Sequence, residues 1–227
     1  CIMSLKLAIL ASGSGTNAEA MFKAVERGLL DADIRLVLAN RPGAKVLERA
    51  ERHGLPSVCV DHRAFPDRES FDDAVIRAIR SAGADTVALA GYMRLVTPAF
   101  LDAFPDRVLN IHPALLPSFP GVHGTADAHA WGVRLTGCTV HFVSPEMDCG
   151  PIIVQACLPV MQDESEDELQ HRIHALEHRV YPQALQWLAE NRLEIRGRRV
   201  FLKPAPAGRT AEVPANVLVW PALEEGF

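Results

Sequence analysis

The residues best suited to chemistry in this sequence are Asn110 and His112, in the segment RVLNIHPALLPSFPGVHG. Two residues apart on a strand, their side chains would face the same side of a sheet. Pro113, Pro117 and Pro120 follow, and a segment so rich in proline cannot continue a ladder of backbone hydrogen bonds. A carboxamide and an imidazolium can both donate hydrogen bonds to a developing oxyanion, so the pair predicts carbonyl chemistry without a covalent nucleophile.

A carboxylate partner for the histidine is expected, because an imidazole titrates near pH ~6.5 in water and loses its charge at cellular pH without one. Asp148, in the turn PEMDCG, is the candidate. A hairpin predicted around this turn would return Asp148 to the sheet edge that carries His112. The alternative is an ordinary turn residue, since aspartate is common in turns.

The segment from Gly13 to Ala18 fits the pattern G-x-G-x-x-A between a predicted strand and a predicted helix. In dinucleotide-binding folds such a loop brings backbone N–H groups to a pyrophosphate at a helix N-terminus. The acidic residue that would bind the ribose of NAD is expected at the end of the second strand, where this sequence has Asn40 and Arg41. Arg41 leaves an NADP-binding reductase open as an alternative.

The same loop also fits a monophosphate. Gly15, Thr16 and Asn17 would offer backbone N–H groups, a hydroxyl and an amide to three phosphate oxygens. The dipole of the following helix favours a dianion at this position. A tight turn capped by threonine or asparagine is the interpretation that needs no ligand.

Metal and covalent chemistry fit the sequence less well. His112, His123 and His141 do not have the spacing of zinc ligands on a helix, and no metal site is predicted. No serine or cysteine stands in a nucleophile elbow. The histidines at 171, 174 and 178 are interpreted as part of a polar helix face.

Apolar runs of strand length alternate with segments of helical periodicity, which predicts a mostly parallel, twisted α/β sheet with helices on both faces. Two later apolar segments, TGCTVHFVS and GPIIVQACLPV, predict an antiparallel hairpin at the sheet edge. A long helix is expected from Ser165 to Asn191, capped by Asp163 or Ser165. The interrupted basic run RLEIRGRR, residues 192–199, is interpreted as a solvated helix end and turn.

Length and composition predict one folded domain. The chain has 227 residues and a net charge of −5, which argues against a nucleic-acid-binding face. We expect a single domain over 1–227, with a core at about 5–202 and a loosely packed Pro/Ala-rich extension at 203–227. The five cysteines form no CxxC or zinc-finger pattern, and no membrane span or signal peptide is evident, so a cytoplasmic location is expected.

Five ordered motifs together resemble the phosphoribosylglycinamide formyltransferase family. They are ASGSGTN, LAGYMRLVTPAF, LNIHPALLPSFPG, TVHFVSPEMDCGPII and LEHRVYP. The similarity covers about residues 5–201 and implies a Rossmann-like formyltransferase fold. It also implies transfer of a formyl group from 10-formyltetrahydrofolate to the amine of 5'-phosphoribosylglycinamide (glycinamide ribonucleotide), in purine biosynthesis and with no metal.

The resemblance also implies a role for each matching residue. Asn110, His112 and Asp148 correspond to the catalytic trio. The ribonucleotide would be bound by Gly15, Thr16, Asn17 and Glu177. The folate would be bound by Arg68, Met93, Arg94, Leu95, Val96, Asn110, Ser144, Pro145, Glu146, Met147 and Asp148.

Two segments depart from the family pattern, and close rivals remain. GTADAHAWG, within the 122–132 loop, stands where many relatives have a second histidine and basic residues, and the Pro-rich tail matches nothing recognised.

Methionyl-tRNA formyltransferase and formyltetrahydrofolate hydrolase share the Asn–His–Asp core but add a further domain. The expected partners are therefore small molecules, with no nucleic acid or membrane, and the protein is expected to be a monomer or homodimer.

Overall fold

The computed structural model describes residues 4–205 and 210–227. By its contacts the chain divides into two compact units, Cys1–Asn110 and Ile111–Phe227. The prediction of a single domain stays a prediction. Within the described residues no helix is long and apolar enough to cross a membrane.

The first unit alternates strands and helices as the sequence predicts. Its elements are β1 (Leu5–Ala11), α1 (Thr16–Glu26), β2 (Ala32–Ala39), α2 (Lys45–Arg52), β3 (Ser57–Cys59), α3 (Arg68–Ser81), β4 (Thr86–Leu89), α4 (Pro98–Ala103) and β5 (Val108–His112), whose last two residues begin the second unit.

The strands of the first unit pair in the order β3-β2-β1-β4-β5, and every one of these pairings is parallel. Six of the seven β1 residues are buried, so β1 is an apolar run that needs cover on both faces. The register pairs Ala11 with Ala39 and Leu10 with Leu89, so the carboxyl ends of β1, β2 and β4 lie at one edge. This is the edge at which open α/β sheets bind ligands.

The second unit contains α5 (Gly124–Trp131), β6 (Leu135–Phe142), β7 (Ile152–Pro159), α6 (Glu166–Ala189), β8 (Leu193–Arg196), β9 (Arg199–Leu202) and β10 (Leu218–Trp220). The predicted β6–β7 hairpin is confirmed as antiparallel. It is not at an edge, since β7 also pairs with β9 and β10. With the parallel strands of the first unit, this arrangement confirms the predicted α/β class.

Helix α6 covers one face of the hairpin. Ser165 is its N-cap and forms a capping box with Glu168, as the sequence allowed. Its apolar stripe, which includes Leu169, Ile173 and Val180, is fully buried, and the helix packs against β6 and β7. This packing fixes where Glu177 lies.

Besides the edge position of the hairpin, three sequence interpretations are wrong. The 122–132 loop contains α5, whose composition GTADAHAW gives little amphipathic signal. The basic run at 192–199 is not a helix end, because it forms β8 and the start of β9, which pair antiparallel around a turn with Gly197 at φ 62°. The tail is not loosely packed over 210–227, since Val219 and Leu223 are buried. Glu224 accepts a hydrogen bond from the Trp187 indole of α6 and pairs with Arg192.

Candidate active site

The glycine loop joins β1 to α1 in the first unit, where the sequence predicted it. Gly15 is the N-cap of α1 with φ 70°, a conformation that glycine adopts without strain. A Cβ on Gly15 would lie 2.6 Å from Cβ of Val46, so this approach also requires glycine. Thr16 and Asn17 form the first turn of α1, with Thr16 half-buried and Asn17 buried. The loop therefore presents a helix N-terminus, the feature that binds phosphate in many folds.

The predicted folate segment, Met93–Val96, follows β4 in the same unit. Met93 and Leu95 are about half exposed, whereas Val96 is buried. The Arg94 guanidinium lies 4.9 Å from the centre of the Phe71 ring, a cation–π contact. The segment thus offers exposed apolar side chains beside a fixed backbone, which suits a flat heterocycle.

Arg68 lies at the first position of α3 and is exposed, so its guanidinium is accessible to a carboxylate. The helix start is fixed by Asp67, whose carboxylate accepts a hydrogen bond from the Ser70 N–H at 2.7 Å. Hydrogen bonding from the Ser70 side chain, and then from its N–H, holds the pKa of Asp67 below its ordinary value. Arg68 is therefore displayed from a well-defined helix terminus.

His112 ends β5 and is 3% exposed, with both ring nitrogens facing oxygen atoms of the second unit. Its Nε2 lies 2.7 Å from the Phe119 carbonyl oxygen, and its Nδ1 lies 3.5 Å from Oδ2 of Asp148. The Phe119 carbonyl can only accept, so Nε2 is the donor in that contact. The predicted His112–Asp148 pair is thus brought together.

Asp148 is held in place from three sides. Its Oδ2 accepts a hydrogen bond from the Gly121 N–H at 2.7 Å, and its backbone has φ 53°, in the left-handed region that aspartate tolerates in turns. Its Oδ1 lies 3.7 Å from Nε2 of His141. The carboxylate therefore lies between the imidazoles of His112 and His141.

His141 is a part of this cluster that the sequence analysis missed, having considered it only as a metal ligand. It is 2% exposed on β6, and its Nδ1 lies 2.9 Å from the Phe142 carbonyl oxygen. Burial lowers its pKa, opposed by that carbonyl and by Asp148. A sequence signal existed, since β6 leads directly into the turn that carries Asp148.

Asn110 lies two residues before His112 on β5 and is half-buried. The shared strand places both side chains on one face, as predicted. Asn110 is also the last residue of the first unit.

The predicted folate loop, residues 144–148, forms the turn between β6 and β7. The Ser144 hydroxyl donates to the Glu146 carbonyl at 3.0 Å, which stabilises the turn, and Met147 is exposed on it. A Cβ at Gly150 would lie 1.6 Å from the Phe142 carbonyl oxygen, so glycine is required where the hairpin closes. The turn thus presents Asp148 from a rigid base.

Glu177 lies in the middle of α6 and is only 3% exposed. Nε2 of His174 lies 4.0 Å from Oε2 of Glu177, and burial lowers the pKa of His174. Across residues 4–205 and 210–227 no group of His, Cys, Asp and Glu side chains is arranged to hold a metal ion.

The arrangement around His112 is suited to an acyl-type transfer. A buried imidazole with a carboxylate at one nitrogen can donate a proton or hydrogen bond from the other to a carbonyl oxygen. The carboxamide of Asn110, on the same strand face, can donate a second. Residues 5–185 match the formyl transferase family, and the chain belongs to that family.

Individual relatives are named for a particular formyl transfer reaction. The chain is 38% identical over 183 residues to the phosphoribosylglycinamide formyltransferase of Bacillus subtilis, covering 81% of this chain and 94% of that protein. The crystal structure of glycinamide ribonucleotide transformylase 1 from Symbiobacterium toebii superposes with a TM-score of 0.88 at 44% identity, covering 89% and 95% of the two chains.

Some relatives are much longer proteins. The chain is 41% identical over 185 residues to the trifunctional purine biosynthetic protein adenosine-3 of Drosophila melanogaster, a match that covers 81% of this chain. It spans only 14% of the length of that relative. The similarity therefore concerns one part of the trifunctional protein.

Proposed function

We infer that the protein transfers the formyl group of 10-formyltetrahydrofolate to the amine of 5'-phosphoribosylglycinamide, giving formylglycinamide ribonucleotide and tetrahydrofolate. This is a formyl transfer step of purine biosynthesis. The observation that carries the inference is the buried His112, with the Phe119 carbonyl at Nε2 and Asp148 at Nδ1. Membership of the formyl transferase family and the phosphoribosylglycinamide formyltransferase relatives support it.

The reaction follows from the donors on β5. The glycinamide amine attacks the formyl carbon, and the carbonyl π electrons move to the formyl oxygen. His112, which is paired with Asp148, and Asn110 donate hydrogen bonds to that oxyanion. A proton passes from the attacking amine to N10 of the folate, through His112 or a water, as the C–N10 bond breaks. No group on the enzyme needs to form a covalent bond.

We assign the ribonucleotide phosphate to Gly15, Thr16 and Asn17. Support comes from the left-handed Gly15 cap and from the free end of the α1 dipole, which favours a dianion. Glu177 is assigned to the glycinamide end of the same substrate, where a carboxylate would bind a cationic or N–H donor group.

We assign the folate to Arg68, Met93, Arg94, Leu95 and Val96 in the first unit, and to Asn110 on β5. In the second unit the assignment covers residues 144–148, which are Ser144, Pro145, Glu146, Met147 and Asp148. The exposed Met93, Leu95 and Met147 side chains support an apolar contact with the pterin, and the exposed Arg68 supports a contact with a folate carboxylate. Loss of Arg68 would raise KM for the folate and leave KM for the ribonucleotide unchanged.

The reaction needs no other cosubstrate, and the protein would act in the cytoplasm on small molecules. It would work as a monomer or a homodimer without nucleic acid or membrane. Formyltetrahydrofolate hydrolase, which has the same Asn–His–Asp core, is the alternative that the test must separate from the transferase.

The test is a paired assay. The protein is given 10-formyltetrahydrofolate with and without glycinamide ribonucleotide, and formation of deformylated folate is followed by absorbance. Turnover that depends on the ribonucleotide is expected. Equal turnover without it would identify a hydrolase, and no turnover in either arm would contradict formyl transfer.

Variants then test the residues. His112→Ala should lower kcat by about 10²-fold or more with both substrates saturating, as loss of a positioned acid does. His171→Ala, an exposed histidine on α6, is the matched control and should keep wild-type turnover. Near-normal turnover by His112→Ala would remove this residue from the mechanism.

A further inference from the structure

Ser12 joins two segments to which different substrates are assigned. It is the first residue after β1 and is 6% exposed. Its N–H donates to the Gly91 carbonyl at 3.0 Å, and its hydroxyl oxygen accepts a hydrogen bond from the Met93 N–H at 2.8 Å. One side chain at the start of the glycine loop therefore fixes the first residue of the 93–96 folate segment.

The glycine loop is braced on its other side by α2. The Gly13 carbonyl accepts a hydrogen bond from the Val46 N–H at 3.2 Å, and the Ser14 carbonyl accepts one from Nε of Arg49 at 2.7 Å. Arg49 is itself paired with Glu19 on α1 at 3.2 Å. A displacement of the loop is thus resisted by α2 and transmitted through Ser12.

The folate segment is held at its far end as well. The Thr97 N–H donates to Oδ2 of Asp72 at 2.6 Å, and Asp72 is 2% exposed. With Met93 and Thr97 both tethered, the intervening residues have few ways to move independently. The position of Met93 then depends directly on that of Ser12.

We propose that Ser12 is a positioning residue that couples binding of the ribonucleotide phosphate to binding of the folate. The proposal rests on the proposed function, which assigns the two segments to the two substrates. A ligand that orders the glycine loop also orders Met93 through the Ser12 hydroxyl, so the second ligand loses less conformational entropy on binding. Because binding free energies are reciprocal, each substrate raises affinity for the other by the same factor.

Ser12→Ala tests the link because it removes only the hydroxyl that Met93 uses. The backbone bond from residue 12 to Gly91 stays. Ser12→Thr restores a hydroxyl and should recover coupling. Ser81→Ala, at an exposed position ending α3, is the matched control and should behave as wild type.

Calorimetry measures the coupling with tetrahydrofolate, which has no formyl group to transfer. The Kd of glycinamide ribonucleotide is measured with and without saturating tetrahydrofolate. In wild type and Ser81→Ala the folate should lower this Kd about 10-fold, within the usual range of coupling between sites. In Ser12→Ala the ratio should fall to below about 2-fold, while kcat at saturation of both substrates changes little.

The possible results distinguish failure of the coupling proposal from failure of the proposed function. An unchanged ratio in Ser12→Ala, or a wild-type ratio of one, would overturn the coupling proposal while leaving formyl transfer intact. A wild-type protein that binds neither ligand and has no turnover would overturn the proposed function itself. If Ser12→Ala fails to fold, Ser12→Cys, which keeps a similar volume with a weaker acceptor, carries the same comparison.

Discussion

Replacing Gly15 by alanine places a methyl group at the most constrained point of the glycine loop. The new Cβ would lie 2.6 Å from Cβ and Cγ2 of Val46 and 2.9 Å from its Cα. The last of these is a backbone atom of α2, which cannot rotate away as a side chain can. Residue 15 would also have to keep φ near 70°, in the left-handed region.

The two effects add to a measurable loss of stability. A left-handed conformation costs an L-residue roughly 1–2 kcal/mol, and forcing a methyl group into a packed site costs roughly 1–3 kcal/mol. Gly15→Ala should therefore lower the free energy of unfolding by about 3 kcal/mol. For a chain of this length that corresponds to a fall in Tm of roughly 6–12 °C.

Two other glycines separate the contributions. Gly28 has φ 71° with nothing within 4 Å of an added Cβ, so Gly28→Ala should show the conformational cost alone, a fall of roughly 2–8 °C. Gly13, in the same loop as Gly15, has neither feature, and Gly13→Ala should leave Tm within about 2 °C of wild type.

The measurement is thermal unfolding of the three variants by calorimetry, together with KM for the ribonucleotide. Gly15→Ala should raise that KM, because the loop must move away from Val46 to admit the methyl group. If Gly15→Ala melts no lower than Gly28→Ala, the close approach to α2 is not a constraint in solution and the steric part of the reasoning fails.

Three further predictions concern the cluster around His112, a surface histidine and a helix cap. Asp148→Asn keeps an acceptor for the Gly121 N–H but loses the charge, so kcat/KM should fall by about 10²-fold with an unchanged Tm; full activity in steady-state assays would contradict a role for the carboxylate. The pKa of His53 is raised chiefly by its hydrogen bond to Glu26. The free energy of unfolding that this pairing contributes is therefore complete below pH ~6.5, and it is lost as the pH rises through the raised pKa of the folded protein. Denaturant unfolding should therefore show a larger deficit for His53→Gln at pH 6 than at pH 9, and an equal deficit would refute the charge pairing. Ser165→Ala removes the N-cap of α6 and should cost about 1 kcal/mol in chemical denaturation, whereas no loss would mean that the capping box is not formed.

The fold of the first unit could be predicted because its signals are local. Buried strands such as β1 are continuous apolar runs, and α3 carries its apolar residues at helical spacing. Strands β8 and β9 were not predicted because each has only four residues, too few for the alternation of Leu193 and Ile195 with charged residues to stand out; Gly197 marks the turn between them. The buried Val219 in the tail depends on β7, far away in sequence, so no local pattern predicts it.

In the candidate site, too, local features could be predicted from the sequence and contacts between distant segments could not. Asn110 and His112 lie two residues apart on one strand, so their shared face follows from spacing alone. Pairing of Asp148 with His112 required both the hairpin and the resemblance to a known family. The position of His141 against the second oxygen of Asp148 depends on the register at the end of β6, where the pairing with β7 shifts between Val140 and His141. A register shift of this kind cannot be read from residue types.

The loop after β5 forms hydrogen bonds with both His112 and Asp148. Phe119, with φ 52°, places its carbonyl at Nε2 of His112, and Gly121, two residues later, donates its N–H to Asp148. A hydrogen bond needs near-linear geometry, so an N–H serves one good acceptor at a time. If His112 donates to the formyl oxygen through Nε2, we expect the Phe119 carbonyl to move away first. Because Phe119 and Gly121 are two residues apart, we expect that movement to change the hydrogen bond from the Gly121 N–H to Asp148 as well.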